Sequence, residues 1–216
     1  MTEAIEKLET LRINHEKAGQ GLLKFTAGKL FPCHALYLSV LNRSLELFDG
    51  FILLIRNGHY GCGMSLLRMQ LDNVLRFYGV LLTEDPHNVA NEMFNGAFLS
   101  KIKDKEGNKL RDHYLVTKMS EANPWVNHVY NLTSGYIHLS DQHIHQMLGR
   151  SKLAADGERE FYLGSDSSHL DETHVLQLIQ AFSSTTNGVF ALLPEWQKLS
   201  SQYDPATLEK QYKVYA

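Results

Sequence analysis

Between Tyr130 and His145 the chain gathers three histidines, two tyrosines, two serines and an aspartate in an otherwise amphipathic run. Read as a helix, this run stacks Tyr130, Ser134 and His138 at one-turn intervals on a single face, with Asp141 beside the same stripe. An imidazole there could move a proton near neutral pH, and the hydroxyls could hold a polar ligand. Upstream, the run Ser65-Leu-Leu-Arg68-Met-Gln-Leu-Asp72 sets Arg68 and Asp72 one helical turn apart beside an apolar face, with Arg76 one turn further. Charges turned inward are costly unless paired. The expectation is therefore a polar seam in which Arg68, Asp72 and Arg76 meet Tyr130, Ser134 and His138 across two helices. The plainer alternative is a solvated pair on a long helix.

Other chemistries are less well supported by spacing. His143 and His145 stand two apart, so on a strand they would point to one side and, with His138, could bind a metal ion. No H-E-x-x-H pattern accompanies them, and hydrogen-bonding or surface histidines are the ordinary reading. Ser134 and His138 lack the G-x-S-x-G elbow of a nucleophilic serine. Gly58-His-Tyr-Gly61-Cys-Gly63 lacks the Lys-Ser/Thr of a phosphate loop and reads as an interhelical turn. Lys101, Lys103, Lys105, Lys109 and Arg111 form a basic cluster softened by Asp104 and Glu106, which reads as a solvated loop.

The elements that must carry these residues are helical. Hydrophobic periodicity predicts helices over 2–18, 34–55 and 60–82, the last two joined by Asn57-Gly58-His59 as an antiparallel hairpin. A fourth follows Pro86 to about Ile102, and a short one spans His113 to Ala122. The helix bearing the seam starts after Asn123-Pro124. Ile144–Leu148 and Glu160–Leu163, flanking Ala155-Asp156-Gly157, predict a small hairpin within 143–164. A long helix then runs from Leu170 to a kink at Pro194, and a short terminal helix follows Asp204. With 216 residues, 44% hydrophobic and 21% charged, the composition predicts one all-α bundle domain over residues 1–216. A net charge of −3 excludes a strong overall pull toward polyanions, so no sequence-specific DNA binding is expected. Two cysteines in no metal-ligand spacing, an acidic N-terminus and no apolar run near 20 residues predict a cytoplasmic protein with no membrane partner.

The Arg68-x-x-x-Asp72 helix, followed by Tyr130-x-x-x-Ser134-x-x-x-His138, resembles a group of uncharacterised bacterial all-α proteins that are similar in turn to the HEPN superfamily. The resemblance covers residues 35 to 145. It implies a HEPN-like helical bundle, often a homodimer, in a superfamily with many RNA-cleaving members. Those ribonucleases carry an Arg, then four to six residues, then a His, and this sequence has no such pair. Asn131, with six residues between it and His138, stands where the Arg is expected. An amide cannot supply the fixed positive charge that stabilises a phosphorane-like transition state, so Arg68 or Arg76 would have to supply it from the neighbouring helix.

The leading reading is a HEPN-like bundle binding a small or phosphate-bearing ligand, or a partner, through Asp72, Arg76, Tyr130, Asn131 and Ser134, with the cofactor unknown. The first rival is an RNA-cleaving or metal-assisted hydrolase that uses His138 and Arg68, with His143 and His145 on a metal. The second is a structural or dimerisation protein whose seam is a satisfied polar core.

Overall fold

The computed structural model describes residues 1–149, 151–161, 163–164 and 172–215, Gln146 by its backbone alone. It is all-α with one small β-hairpin. The first predicted helix is two: α1 (Thr2–Glu9) and α2 (Arg12–Phe25). The expected stop at Gly19-Gln20-Gly21 is overturned. Helix α2 passes through both glycines, where a Cβ would lie 3.9 Å from Leu38 at Gly19 and from Leu193 at Gly21, and it ends at Phe25 just before Ala27 and Gly28, both at positive φ. Packing outweighs the modest helix penalty of glycine.

The long helices appear as the periodicity predicts. Pro32 occupies the first turn of α3 (Pro32–Arg56), and Gly58, at φ 75°, turns the chain into α4 (Tyr60–Leu81). Helices α3 and α4 are antiparallel: Arg43 bonds Asn73, and a Cβ at Gly50 would lie 3.4 Å from Leu66. Gly63 admits Ile55 and Phe51 so closely that a Cβ would meet the Ile55 side chain at 2.9 Å.

Beyond α4 come α5 (Pro86–Phe94), a 3-10 turn at Leu99–Lys101, α6 (Asp112–Ser120), α7 (Trp125–Ser134) and α8 (Asp141–Gly149). Helix α5 is shorter than expected because Asn95 and Gly96, at φ 90°, end it before Ile102. The hairpin exists but is displaced. Lys152–Leu153 (β1) pairs antiparallel with Arg159–Glu160 (β2), whereas Ile144–Leu148, predicted as a strand, belongs to α8. Short apolar runs fit either element, and here only the Asp156-Gly157 turn fixes the hairpin. Tyr162 and Leu170 lie outside the described residues. Helix α9 (Glu172–Ser200) continues past Pro194, and α10 (Pro205–Gln211) is capped by Asp204.

Helix α9 completes the core by lying parallel to α4 and antiparallel to α3. Gln70 reaches Thr186 and Val74 faces Gly188, while Phe51 stacks on Phe182 with ring centroids 3.8 Å apart. The Tyr37 hydroxyl donates to the Val189 carbonyl at 3.0 Å. Tyr37, Phe48, Phe51, Phe77, Phe182 and Trp196 are fully enclosed. Each such side chain contributes roughly 1.5–3 kcal/mol by leaving water. Helices α6 and α7 then pack on the flank of α4 opposite α3. Among the described residues no helix is long and apolar enough to cross a membrane, and Cys33 and Cys62 are free thiols.

Candidate functional site

The arginines of α4 do turn inward, and they are paired. Arg76 donates through Nε to Asp72 at 3.1 Å and through Nη2 to Asp112 of α6 at 2.6 Å. Arg68 donates to the other oxygen of Asp112 at 3.4 Å, and its guanidinium lies 4.5 Å from the centre of the Tyr130 ring. That cation–π stack joins α4 to α7, as the seam requires. From Asp72 the network continues inward. Arg43 lies 3.6 Å from Asp72 and also bonds Asn73, whose amide donates to Gln70 at 3.0 Å. Gln70, wholly buried, donates to Ser44 at 2.7 Å and Thr186 at 3.0 Å, and Ser44 meets His15 at 2.9 Å. One chain of polar contacts thus runs from α2 to α7. Asp112, which stands in no motif of its own, is the joint that both outer arginines share. Its place at the first turn of α6 becomes visible only when α6 packs beside α4.

The other half of the expected seam is not brought to this point. Helix α7 ends at Ser134, whose hydroxyl donates back to the Tyr130 carbonyl at 2.6 Å. His138 therefore lies in an exposed bend beyond the helix and not on one face with Tyr130 and Ser134, which corrects the stacking expected from periodicity. The amphipathic pattern runs on through Gly135, but the local bonds of Ser140 to Gly135 and of Ile137 to Ser134 close a turn there. Asn131, also exposed, bonds Asn127 on its own helix. His143 accepts the Ser140 amide at 3.4 Å and packs against Tyr136, while His145 is exposed. Both sit on α8, where residues two apart diverge, so the shared side predicted from a strand is lost. Among the described residues no group of three or more His, Cys, Asp or Glu could hold a metal ion.

Behind Tyr130, on the opposite side of α7, is an open cavity of about 670 Å³ between α4, α7 and α9. Its walls are Met64 and Leu67 of α4, Trp125, Val129 and Leu132 of α7, and Val175, Leu178 and Ala181 of α9. Tyr60, His128, Tyr136, His174, Gln177 and Ser184 add hydrogen-bonding groups to this apolar lining. Trp125 also borders a second cleft of about 490 Å³ further along α4 and α9, lined by Val74, Tyr78, Leu192 and Leu199. His128 and His174 stand in no motif that would single them out in the sequence. The usable signal was an apolar face wider than one buried stripe: Trp125 and Leu132 flank Val129 on α7 at helical spacing, and Tyr136 follows in the turn beyond it.

A separate cluster joins the start of α3 to α5 and the C-terminal elements. Phe31 donates its N–H to His34 Nδ1 at 3.2 Å, which leaves the ring proton on Nε2, 3.0 Å from Ser200 Oγ. Cys33 donates its N–H to His87 Nδ1 at 3.3 Å. The His87 ring is enclosed by His34, Trp196 and Tyr203, with centroids 5.1–5.2 Å away, and by Tyr212 at 5.8 Å. Among the described residues its Nε2 has no hydrogen-bond partner. It faces ring systems instead. Asp85 caps α5 by accepting the amides of His87 and Asn88, both at 3.0 Å, and accepts the Tyr212 hydroxyl at 2.8 Å. Burial, with the neighbouring His87, pushes His34 down to about 3. Burial also pushes His87 down to about 4, against an upward pull from Asp85, and lowers His15. His34 and His87 each accept a backbone N–H through Nδ1, whereas His15 Nδ1 donates to the Arg12 carbonyl at 3.3 Å and its Nε2 meets Ser44.

The chain matches no protein-family model, and no curated protein or solved structure matches it significantly.

Proposed function

We propose that this protein is a binding protein for a small, largely apolar molecule, held in the cavity between α4, α7 and α9. The carrying observation is a concave, half-open space of about 670 Å³ whose walls are mainly apolar and aromatic and whose margin offers two histidines, two tyrosines and a serine. Sites for drug-sized ligands typically occupy about 300–1,000 Å³ and combine such walls with a few orienting polar groups. The arginine–aspartate network has a supporting role in this reading. By fixing α6 and α7 onto α4 through Asp112 and Tyr130, it sets the width of the cavity. Each of its arginines, Arg43, Arg68 and Arg76, already lies against Asp72 or Asp112, which disfavours it as the ligand site itself.

Catalysis at His138 has less support. Arg68 is committed to Asp112 and Tyr130, and His138 lies outside the helix that carries them. The likeness to HEPN bundles rests on residues that do not line the cavity, so it bears on catalysis and not on this reading.

The test is titration with N-phenyl-1-naphthylamine, a neutral apolar dye that brightens when it leaves water. Saturable brightening is expected, with quenching or energy transfer from Trp125. Ala181→Phe fills the cavity and should weaken dye binding at least about tenfold, the loss expected when roughly 1.4 kcal/mol of contact is denied. Its thermal midpoint should not fall. Undiminished dye binding by Ala181→Phe, or no saturable signal in the parent protein, rules the cavity out.

A further inference from the structure

We infer that the loop after the 3-10 turn is a docking surface for an anionic phospholipid bilayer. Residues 101–111 carry five cations, Lys101, Lys103, Lys105, Lys109 and Arg111, against two acids, Asp104 and Glu106. With the chain at −3, this net of three positive charges leaves six net negative charges on the remainder. The charge is segregated, and such asymmetry orients a protein before an anionic surface.

The loop is also built rather than slack. Lys103 and Lys109 form an isolated antiparallel bridge, flanked by Asp104 N–H to Asn108 O and Leu110 N–H to Ile102 O, both at 3.0 Å. This bonding pattern makes Lys103 and Lys109 a non-hydrogen-bonded pair, the cross-strand arrangement in which side chains come closest on one face. Two like-charged residues are thereby paired directly across the strands, which disfavours the fold. The turn is held against that repulsion by Asp104, which accepts the Glu106 and Asn108 amides at 3.0 and 2.8 Å and the Tyr114 hydroxyl. Gly107, at φ 88°, supplies the reversal, and Lys105 N–H ties the loop to the Leu82 carbonyl at 3.2 Å. Among the described residues, no ion pair reaches any of the five cations.

Exposure and an aromatic select the partner. All five cations are exposed, and none lines either of the two cavities described above. Single-stranded nucleic acids are tracked by positively charged grooves, whereas exposed cations around a turn can meet a plane. Phe98 is 67% exposed immediately before these cations, with the Lys101 ammonium 5.2 Å from its ring centre. A phenyl ring beside lysines suits the boundary between headgroups and acyl chains.

The experiment is cosedimentation of the full chain with phosphatidylcholine vesicles, with and without phosphatidylserine, at about 50 mM salt, where surface charges are weakly screened. Binding is expected only with phosphatidylserine. Each cation near such a surface is worth about fivefold in partitioning, so K103A/K105A/K109A should lose about hundredfold. The charge-matched control K7A/K17A/K24A, on α1 and α2, should keep most of the binding. Lys103→Glu should weaken binding while raising the thermal midpoint, because it replaces the facing like charges with an ion pair. Four results overturn the inference: no sedimentation of the parent protein, equal binding to vesicles lacking phosphatidylserine, full binding by the triple variant, or binding to oligouridylate without any to vesicles.

Discussion

Between pH 6.5 and 4.5 the protein is expected to lose roughly 4–5 kcal/mol of stability through His34 and His87 alone. In the folded chain their pKa values are held down to about 3 and about 4, whereas in the unfolded chain each returns to its ordinary value near 6.5. Below that value the unfolded state binds more protons than the folded one, so stability falls as pH falls. The contribution is fully present above about pH 7 and is lost progressively toward pH 4. The slope reaches about 2.7 kcal/mol per pH unit when both groups differ by one proton. Typical domain stabilities are about 5–15 kcal/mol, so this loss alone could unfold the chain. The structural cause is direct. Protonating either Nδ1 forfeits the backbone N–H it accepts, from Phe31 or Cys33, and puts a charge among aromatic rings. Urea titrations at successive pH values measure the slope. His87→Gln keeps an acceptor for Cys33 but cannot titrate, so it should halve the slope; an unchanged slope would mean that His87 is not the group responsible.

Asp112→Ala is expected to cost about 2–4 kcal/mol, more than an exposed ion pair is worth. The carboxylate serves both Arg68 and Arg76, and the Arg68 side chain is only 11% exposed, so its charge has little water to fall back on. The partial exposure of Arg76 and Asp112 keeps the figure below that of a fully buried pair. Two measurements check this: a lower urea midpoint at unchanged slope, and recovery of much of the loss in Asp112→Ala/Arg68→Met, where the stranded charge is removed as well. Absence of recovery would show that Asp112 acts through α6 alone. Because α7 is tied to α4 through Arg68 and Tyr130, Asp112→Ala should also weaken dye binding in the cavity, whereas His138→Ala, at an exposed position beyond α7, should leave both stability and dye binding unchanged.

The sequence by itself determined the helical class and the α3–α4 hairpin through Gly58, and it offered an inward turn of Arg68, Asp72 and Arg76 toward Tyr130 as one of two readings, beside a solvated pair. These follow from local rules: apolar residues at helical spacing define a buried stripe, and charges beside that stripe need partners. Tertiary structure alone decided the rest. It chose Asp112 as the shared partner, because α6 lies against α4 at a separation in the chain that no local pattern encodes. It ended α7 before His138, where turn bonds at Gly135 and Ser140 replaced a helical pattern that periodicity alone would have extended. It made α8 a helix and so parted His143 from His145. It also opened the cavity, which exists because α7 and α9 flank α4 without closing on each other. A void is the space that packing leaves, and spacing along one chain specifies the walls but not the distance between them.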